Sequence, residues 1–257
     1  MYLRKVFFFF IYNIDRLINP KITIVTICRD SERTIEECIQ SVIGQTYKNK
    51  EYLIIDGGSS DSTLKIIKNY RNSINELLLG PDEGISDAFN KGISKASGDW
   101  IIFLNSDDYF VNSTAIENII EYLNGDICIS RVIYEGIRNK FSIKPRYSLM
   151  KFKFLVGYAQ PGMIFSKSFL KKIGPFSLDY KLAMDTEMLA RAIKLNFKVI
   201  DIPVSMTVMR LGGISSKYTS EVIKEGTQIR AKYFGYFYAF IYKLIRNFFS
   251  KIKYFFF

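Results

Sequence analysis

The chain of 257 residues contains no histidine. That absence excludes Ser-His-Asp triads, histidine metal sites and imidazole general bases together. Acid–base chemistry must rest on carboxylate, lysine, tyrosine or cysteine groups. Cysteine is scarce too. Cys28, Cys38 and Cys128 are far apart, match no metal spacing and read as ordinary buried thiols. No GxGxxG follows a strand-like run, which excludes a Rossmann dehydrogenase. Acidic residues are missing from residue 231 to the end, where Lys232, Lys243, Arg246, Lys251 and Lys253 stand among many aromatics.

The chain is long enough to bury a substantial core in one large domain, or in a domain with an appendage. Its net charge of +11 and pI near 9.4 point to an anionic partner. Nucleic acid fits poorly, because the basic residues form no recognisable nucleic-acid motif. The basic, aromatic C-terminal stretch resembles a helix lying on a membrane surface and is too interrupted by charge to span one. Residues 1–20 give a weaker version of that signal: Arg4-Lys5 precedes Val6-Phe7-Phe8-Phe9-Phe10, with no small-residue cleavage site. Three segments are therefore expected: 1–20, a basic and aromatic segment; 21–216, the main folded domain; and 217–257, an amphipathic helical extension.

Between them, hydrophobic patterning predicts alternating strands and helices. Strands are expected over 21–28, 51–55, 75–79 and 100–104, with helices over 31–43, 62–70 and 85–96. Ser31 and Asp61 are the expected caps. This spacing is that of βαβ units and a parallel sheet. Further on, a helix is expected over 113–123, paired strands over 126–134 and 137–143, helices over 168–173 and 185–195, and a strand over 197–202. Right-handed crossovers would bring Asp30, Asp56, Asp82 and Asp107 to one rim, where open α/β sheets bind ligands. Trp100-Ile101-Ile102-Phe103-Leu104 runs straight into Asn105-Ser106-Asp107-Asp108. Two adjacent carboxylates there invite a cation, and an all-oxygen donor set suits Mg²⁺ or Mn²⁺ beside phosphate.

Several of these stretches together resemble family 2 glycosyltransferases with the GT-A fold. They are Thr26-Ile27-Cys28-Arg29-Asp30, Ile54-Ile55-Asp56-Gly57-Gly58-Ser59-Ser60-Asp61, Asp82-Glu83-Gly84-Ile85-Ser86-Asp87-Ala88-Phe89-Asn90-Lys91-Gly92, Leu104-Asn105-Ser106-Asp107-Asp108, Gln160-Pro161-Gly162, Ala183-Met184-Asp185-Thr186-Glu187 and Gly212-Gly213-Ile214-Ser215. The resemblance implies an α/β fold with a Rossmann-like, mostly parallel central sheet flanked by helices. It implies inverting transfer from a nucleotide-diphosphate sugar, a UDP-sugar by the carboxylate at Asp56, to a glycan or lipid-linked acceptor in surface polysaccharide synthesis. The place of such an enzyme is the cytoplasmic face of the cell membrane.

Residue by residue, the resemblance assigns donor binding to Thr26, Arg29, Asp56, Gly58, Asp82, Asp87, Asn90, Lys91, Asn105 and Ser106. It assigns the metal to Asp107 with Asp108, the base to Asp185 with Glu187 as the alternative, and the acceptor side to Gln160 and Gly162. Two departures stand out. Asn105 replaces the first aspartate of the family's DxD motif, and Ala159 stands where many relatives have histidine. A non-catalytic nucleotide-sugar-binding protein is the alternative reading of the same residues. The donor sugar, the linkage and the oligomeric state are not encoded in any motif.

Overall fold

A computed structural model describes residues 19–136, 140–143, 149–154, 158–213 and 219–256. The N-terminal segment 1–18 therefore lies outside the described residues, as do Ile214 and Ser215 of the last motif. One nine-stranded sheet organises the chain.

Its first half is all parallel. β1 (Ile22–Cys28) is flanked by β2 (Lys50–Asp56) and β4 (Trp100–Phe103), and β3 (Glu76–Leu79) pairs outside β2. β1, β2 and β4 are rich in isoleucine and covered on both faces, as central parallel strands are, while the edge strand β3 stays half-exposed. Alternation assigns each residue a side. Val25, Ile101 and Phe103 join the core under helices α3 (Ile85–Lys95), α6 (Lys167–Ile173) and α7 (Met184–Lys194). Ile22, Ile24, Ile54 and Ile102 face the other layer, with α1 (Ile35–Ile43) and α2 (Thr63–Asn69). In α1 the residues Ile35, Cys38, Ile39 and Val42 recur at helical spacing and form its buried stripe. All three cysteines are buried and free.

The second half reverses direction. β8 (Met163–Ser166) runs antiparallel beside β4, pairing Ile102 with Ile164. β6 (Ile127–Glu135) is antiparallel to β8 and parallel to β9 (Val199–Arg210). β7 (Lys140–Ile143) adds to β6, and a two-residue β5 (Tyr109–Phe110) closes the path on β9. Because β8 runs the opposite way, the 3-10 turn before it, Gln160–Gly162, lies at the same rim as the end of β4. The ends of β6 and β9, Glu135 and Arg210, pair at that rim too.

Three local expectations change. The helix expected over 113–123 reduces to one α-helical turn, α4 (Glu117–Ile120), preceded by β5, a strand too short to carry a period. β9 continues well past residue 202 and contains Pro203; the register of β6 on β9 shifts between Ile129 and Arg131, beside that proline, which has no N–H to pair. Ser31 does not cap α1 through its side chain. Its hydroxyl donates to the Arg29 carbonyl at 3.1 Å and meets Ser106 Oγ at 2.8 Å.

The C-terminal extension is a hairpin of two helices, α8 (Thr219–Phe234) and α9 (Tyr236–Phe256), joined at Gly235 with φ +99°. It is anchored to the body. Ile229 belongs to the main core, and the buried Arg230 donates to the Phe152, Lys153 and Gly226 carbonyls. The first two of these lie at the C-terminal end of α5 (Leu149–Phe154), where a helix leaves carbonyls without partners. Arg230 also stacks 3.7 Å from the Tyr242 ring centroid. On α9 the residues Tyr236, Phe237, Phe240, Leu244 and Phe248 are exposed. No helix among the described residues is long and apolar enough to cross a membrane.

Candidate active site

The loops beyond β1, β2 and β3 are tied together by their own acidic side chains. Asp56 ends β2 and is buried. Its Oδ1 accepts from the Gly58 and Ser59 N–H groups at 3.0 and 2.9 Å. Its Oδ2 accepts from the Ser59 hydroxyl at 2.5 Å and from the Cys28 thiol at 3.5 Å. Gly58 has φ +87°, so this turn needs a glycine. A Cβ on Gly57 would lie 2.2 Å from Asp82 Oδ2, so the backbone there is open against the Asp82 carboxylate. Asp30 accepts from the Ser60 N–H and hydroxyl, which hold its carboxyl below the usual range. Arg29 is exposed at the end of β1 and forms no ion pair among the described residues.

Other residues expected around the donor are engaged elsewhere. Thr26 is buried beneath the rim, where its hydroxyl accepts from Tyr52 Oη at 3.2 Å and contacts Cys38 Sγ at 3.6 Å. That corrects its expected place in the pocket. Asn90 bonds the chain beyond β8: its Nδ2 donates to the Phe176 carbonyl at 2.9 Å, and its Oδ1 accepts from the Phe176 N–H at 2.8 Å. Both ends of the amide are thus occupied. Asp87 accepts from the Glu83 N–H at 3.1 Å and pairs with Lys91 at 2.8 Å, which lowers its carboxyl. Lys91 Nζ also donates to the Pro81 carbonyl at 2.9 Å.

The end of β4 differs in kind. Asp107 is partly exposed and Asp108 is buried. Burial pushes both carboxyls up, Asp108 well up, with the neighbouring Asp107 charge adding to the effect. Arg210 opposes this. It donates to the Asp107 carbonyl at 3.1 Å, pairs with Glu37, approaches Glu135 at 3.5 Å and lies over the Tyr109 ring. Asn105 Nδ2 reaches Asp108 Oδ2 at 3.4 Å and Gln160 Oε1 at 3.2 Å, while Gln160 Nε2 donates to the Phe103 carbonyl at 3.0 Å. The Asn105 Oδ1 is buried without a partner. A Cβ on Gly213 would come 3.1 Å from Asp107 Oδ2, so glycine keeps that approach clear. Gly162 is structural: a Cβ there would lie 2.7 Å from Val132 and 2.8 Å from the Ser130 carbonyl.

This donor set fits a divalent cation. It consists of hard oxygens only, it contains an orphaned buried carbonyl oxygen, and its two carboxylates are destabilised as charges. Among the described residues no three Asp, Glu, Cys or His side chains form a metal-binding group, so most of a metal's ligands would have to come from substrate phosphates and water.

Asp185 sits in the first turn of α7. Burial raises its carboxyl to about 6, against hydrogen bonds from Thr186 N–H at 2.6 Å and Thr186 Oγ1 at 3.3 Å. Burial pushes the Tyr134 phenol of β6 up, and the charges of Asp108 and Asp185 add to it. Glu187, one candidate base, is fully committed to structure. It is buried, pairs with Arg191 at 3.1 Å and accepts from the Tyr233 hydroxyl of α8.

Residues 23–182 match the family model described as glycosyl transferase family 2. An uncharacterized glycosyltransferase of Mycobacterium tuberculosis is 29% identical over 180 residues, which cover 67% of this chain and 69% of that protein. Among solved structures, S. aureus TarS 1–349 in complex with UDP-GlcNAc matches with a TM-score of 0.64 at 19% identity, over 83% of this chain and 67% of that one. The mannosyltransferase PcManGT from Pyrobaculum calidifontis, in complex with GDP-Man and Mn²⁺, gives 0.65 at 16% identity, over 88% and 70%. At such identities the two structures bear on the fold, which is the GT-A arrangement.

Proposed function

The chain belongs to glycosyl transferase family 2, and on that premise we propose that it moves a sugar from a UDP-sugar to an acceptor hydroxyl with inversion. The observation that supports the reading is the end of β4, where Asn105 keeps a buried oxygen without a partner beside Asp107 and Asp108, whose charge burial disfavours, as it does that of Asp185 in α7. In this reading the nucleoside diphosphate lies along the β1–β4 rim, its base against the turn that Asp56 holds and its ribose between Asp82 and Ser106. Mg²⁺ or Mn²⁺ held by Asp107, with Asn105 Oδ1 and Asp108 alongside, would offset the charge of the leaving diphosphate. Asp185 then takes the proton of the acceptor hydroxyl as its oxygen bonds to the anomeric carbon and the glycosyl–phosphate bond breaks. A carboxyl near 6 is ionised at neutral pH yet basic enough for that task. The TarS structure with UDP-GlcNAc supports a UDP donor and an N-acetylhexosaminyl or hexosyl group.

The acceptor in this reading is a glycan or lipid-linked saccharide at the cytoplasmic face of the membrane. The exposed Phe237, Phe240 and Leu244 recur on one face of α9, and no acidic residue follows Glu225. Apolar rings with flanking cations suit an anionic lipid surface. Replacing Phe237, Phe240 and Leu244 together by serine should abolish co-sedimentation with phosphatidylglycerol vesicles; unchanged sedimentation rejects that surface.

The test of function is a panel of nucleotide sugars with Mn²⁺, read by thermal shift and by release of the nucleotide with and without EDTA. A UDP-sugar that raises Tm and is turned over only with metal is the expected result. A shift without any turnover, with every acceptor tried, favours the non-catalytic binder for which Asn105 would be the signature.

A further inference from the structure

The chain leading into α7 has no side-chain cap of its own, since Ala183 occupies the N-cap. Glu225 of α8 supplies one from outside. Its Oε1 accepts from the Lys181 N–H at 3.0 Å, and its Oε2 from the Leu182 and Ala183 N–H groups at 2.9 and 2.8 Å. These are charge-assisted bonds at the positive end of a helix, among the stronger kinds a protein makes. The same segment is held from the opposite side by α3. Ser86 donates to the Tyr180 carbonyl at 3.2 Å, and Asn90 closes its two bonds on Phe176. Asp185 follows two residues after the last Glu225 contact.

We infer that Glu225 is a positioning residue: its carboxylate fixes the lead-in to α7 and thereby aims Asp185 at the acceptor hydroxyl. The inference rests on Asp185 being the base. It gives the C-terminal hairpin a role in turnover that is separate from any contact of α9 with lipid. Misplacing a reacting group by an ångström is enough to lose much of its rate effect. The other tie between α8 and α7, from the Tyr233 hydroxyl to Glu187, lies further along the helix and leaves the lead-in untouched.

The test compares Glu225→Ala, Glu225→Gln, Tyr233→Phe and Asp185→Asn in the full chain, with rates normalised to folded protein. Glu225→Ala should lower kcat by ~10- to 100-fold while donor KM stays within ~2-fold. Glu225→Gln, which keeps one accepting oxygen, should fall between Ala and wild type, and Tyr233→Phe should keep the wild-type kcat. A second readout is the acid limb of kcat/KM. Burial raises Asp185, Thr186 bonds it from α7, and the Glu225 charge from α8 raises it further. Removing that charge in Glu225→Gln should move the limb to lower pH. If Glu225→Ala does not fold, Glu225→Gln decides through its kcat. Undiminished kcat in folded Glu225→Ala, or in Glu225→Gln where the Ala variant does not fold, overturns the inference when Asp185→Asn is inactive. An active Asp185→Asn instead removes the base assignment, and the positioning role with it.

Discussion

At the end of β2 the Asp56 carboxylate is saturated by its own turn, whereas beyond β4 and at the start of α7 burial works against the charge of the carboxylates. Asp56 accepts four hydrogen bonds from its own turn and from Cys28. Asp107, Asp108 and Asp185 sit where burial disfavours their charge, and Asn105 keeps an oxygen with no partner. The first arrangement builds a rigid floor and costs little. The second leaves charge to be matched by something the protein does not contain. Shape is thus made at one end and chemistry at the other.

The sharpest way to break this contrast is Asp107→Asn, which should remove metal-dependent donor turnover down to background in a nucleotide-release assay; full activity would end the metal assignment. Next comes Asp185→Asn, expected to lower kcat by ~10²–10⁴-fold with donor KM retained. If donor affinity collapsed and turnover did not, Asp185 would belong to the floor. The wild-type rate should decline as pH falls below about 6, because Asp185 must be unprotonated to accept a proton. Stability runs the other way. A carboxyl raised from 3.8 to about 6 favours the folded state at low pH, and that contribution is lost as pH rises through about 6. Asp185→Asn should therefore stabilise the protein at pH 7.5 by ~1–2 kcal/mol once solvent screening is allowed for, seen as a higher Tm. An inactive variant that melts later is the signature of a group kept for function.

At the saturated end the sign reverses. Asp56→Ala leaves two N–H groups and a hydroxyl without their acceptor, and should cost ~1–3 kcal/mol in chemical denaturation. The smallest effect is expected at Lys91. Its pairing with Asp87 on the surface of α3 is worth ~0.5 kcal/mol or less, so Lys91→Ala should leave both stability and donor KM nearly unchanged. A tenfold rise in donor KM would instead place Lys91 on a phosphate.

The parallel half of the sheet was legible because its information is local. Strand runs, helix stripes and the turns at Asp56-Gly57-Gly58 and Gly80-Pro81-Asp82 can each be read within a dozen residues. Thr26 was misplaced although the signal was available: alternation along β1 puts it on the side of Ile24 and Cys28, toward α1. Asn90 was not recoverable in this way, since its partner Phe176 lies 86 residues away. Glu225 was invisible for the same reason. A lone acid on a polar helix face looks solvated, and only the fold brings three backbone N–H groups to it. The two-residue β5 and the passage of β9 beyond Pro203 likewise depend on strands supplied by distant segments.

The reversed strand β8 has one more effect. Parallel strands deliver only their last residues to a rim, but a strand entering from the rim delivers its first, so Gln160 meets Asn105 across the gap between β4 and β8. The segment between them carries β6, which is held by β8 on one side and β9 on the other before its end, Glu135, reaches the same rim. The Asn105–Gln160 bond thus closes a loop of 55 residues on the chain, and two turns that look independent in the sequence become one wall whose composition neither can change alone.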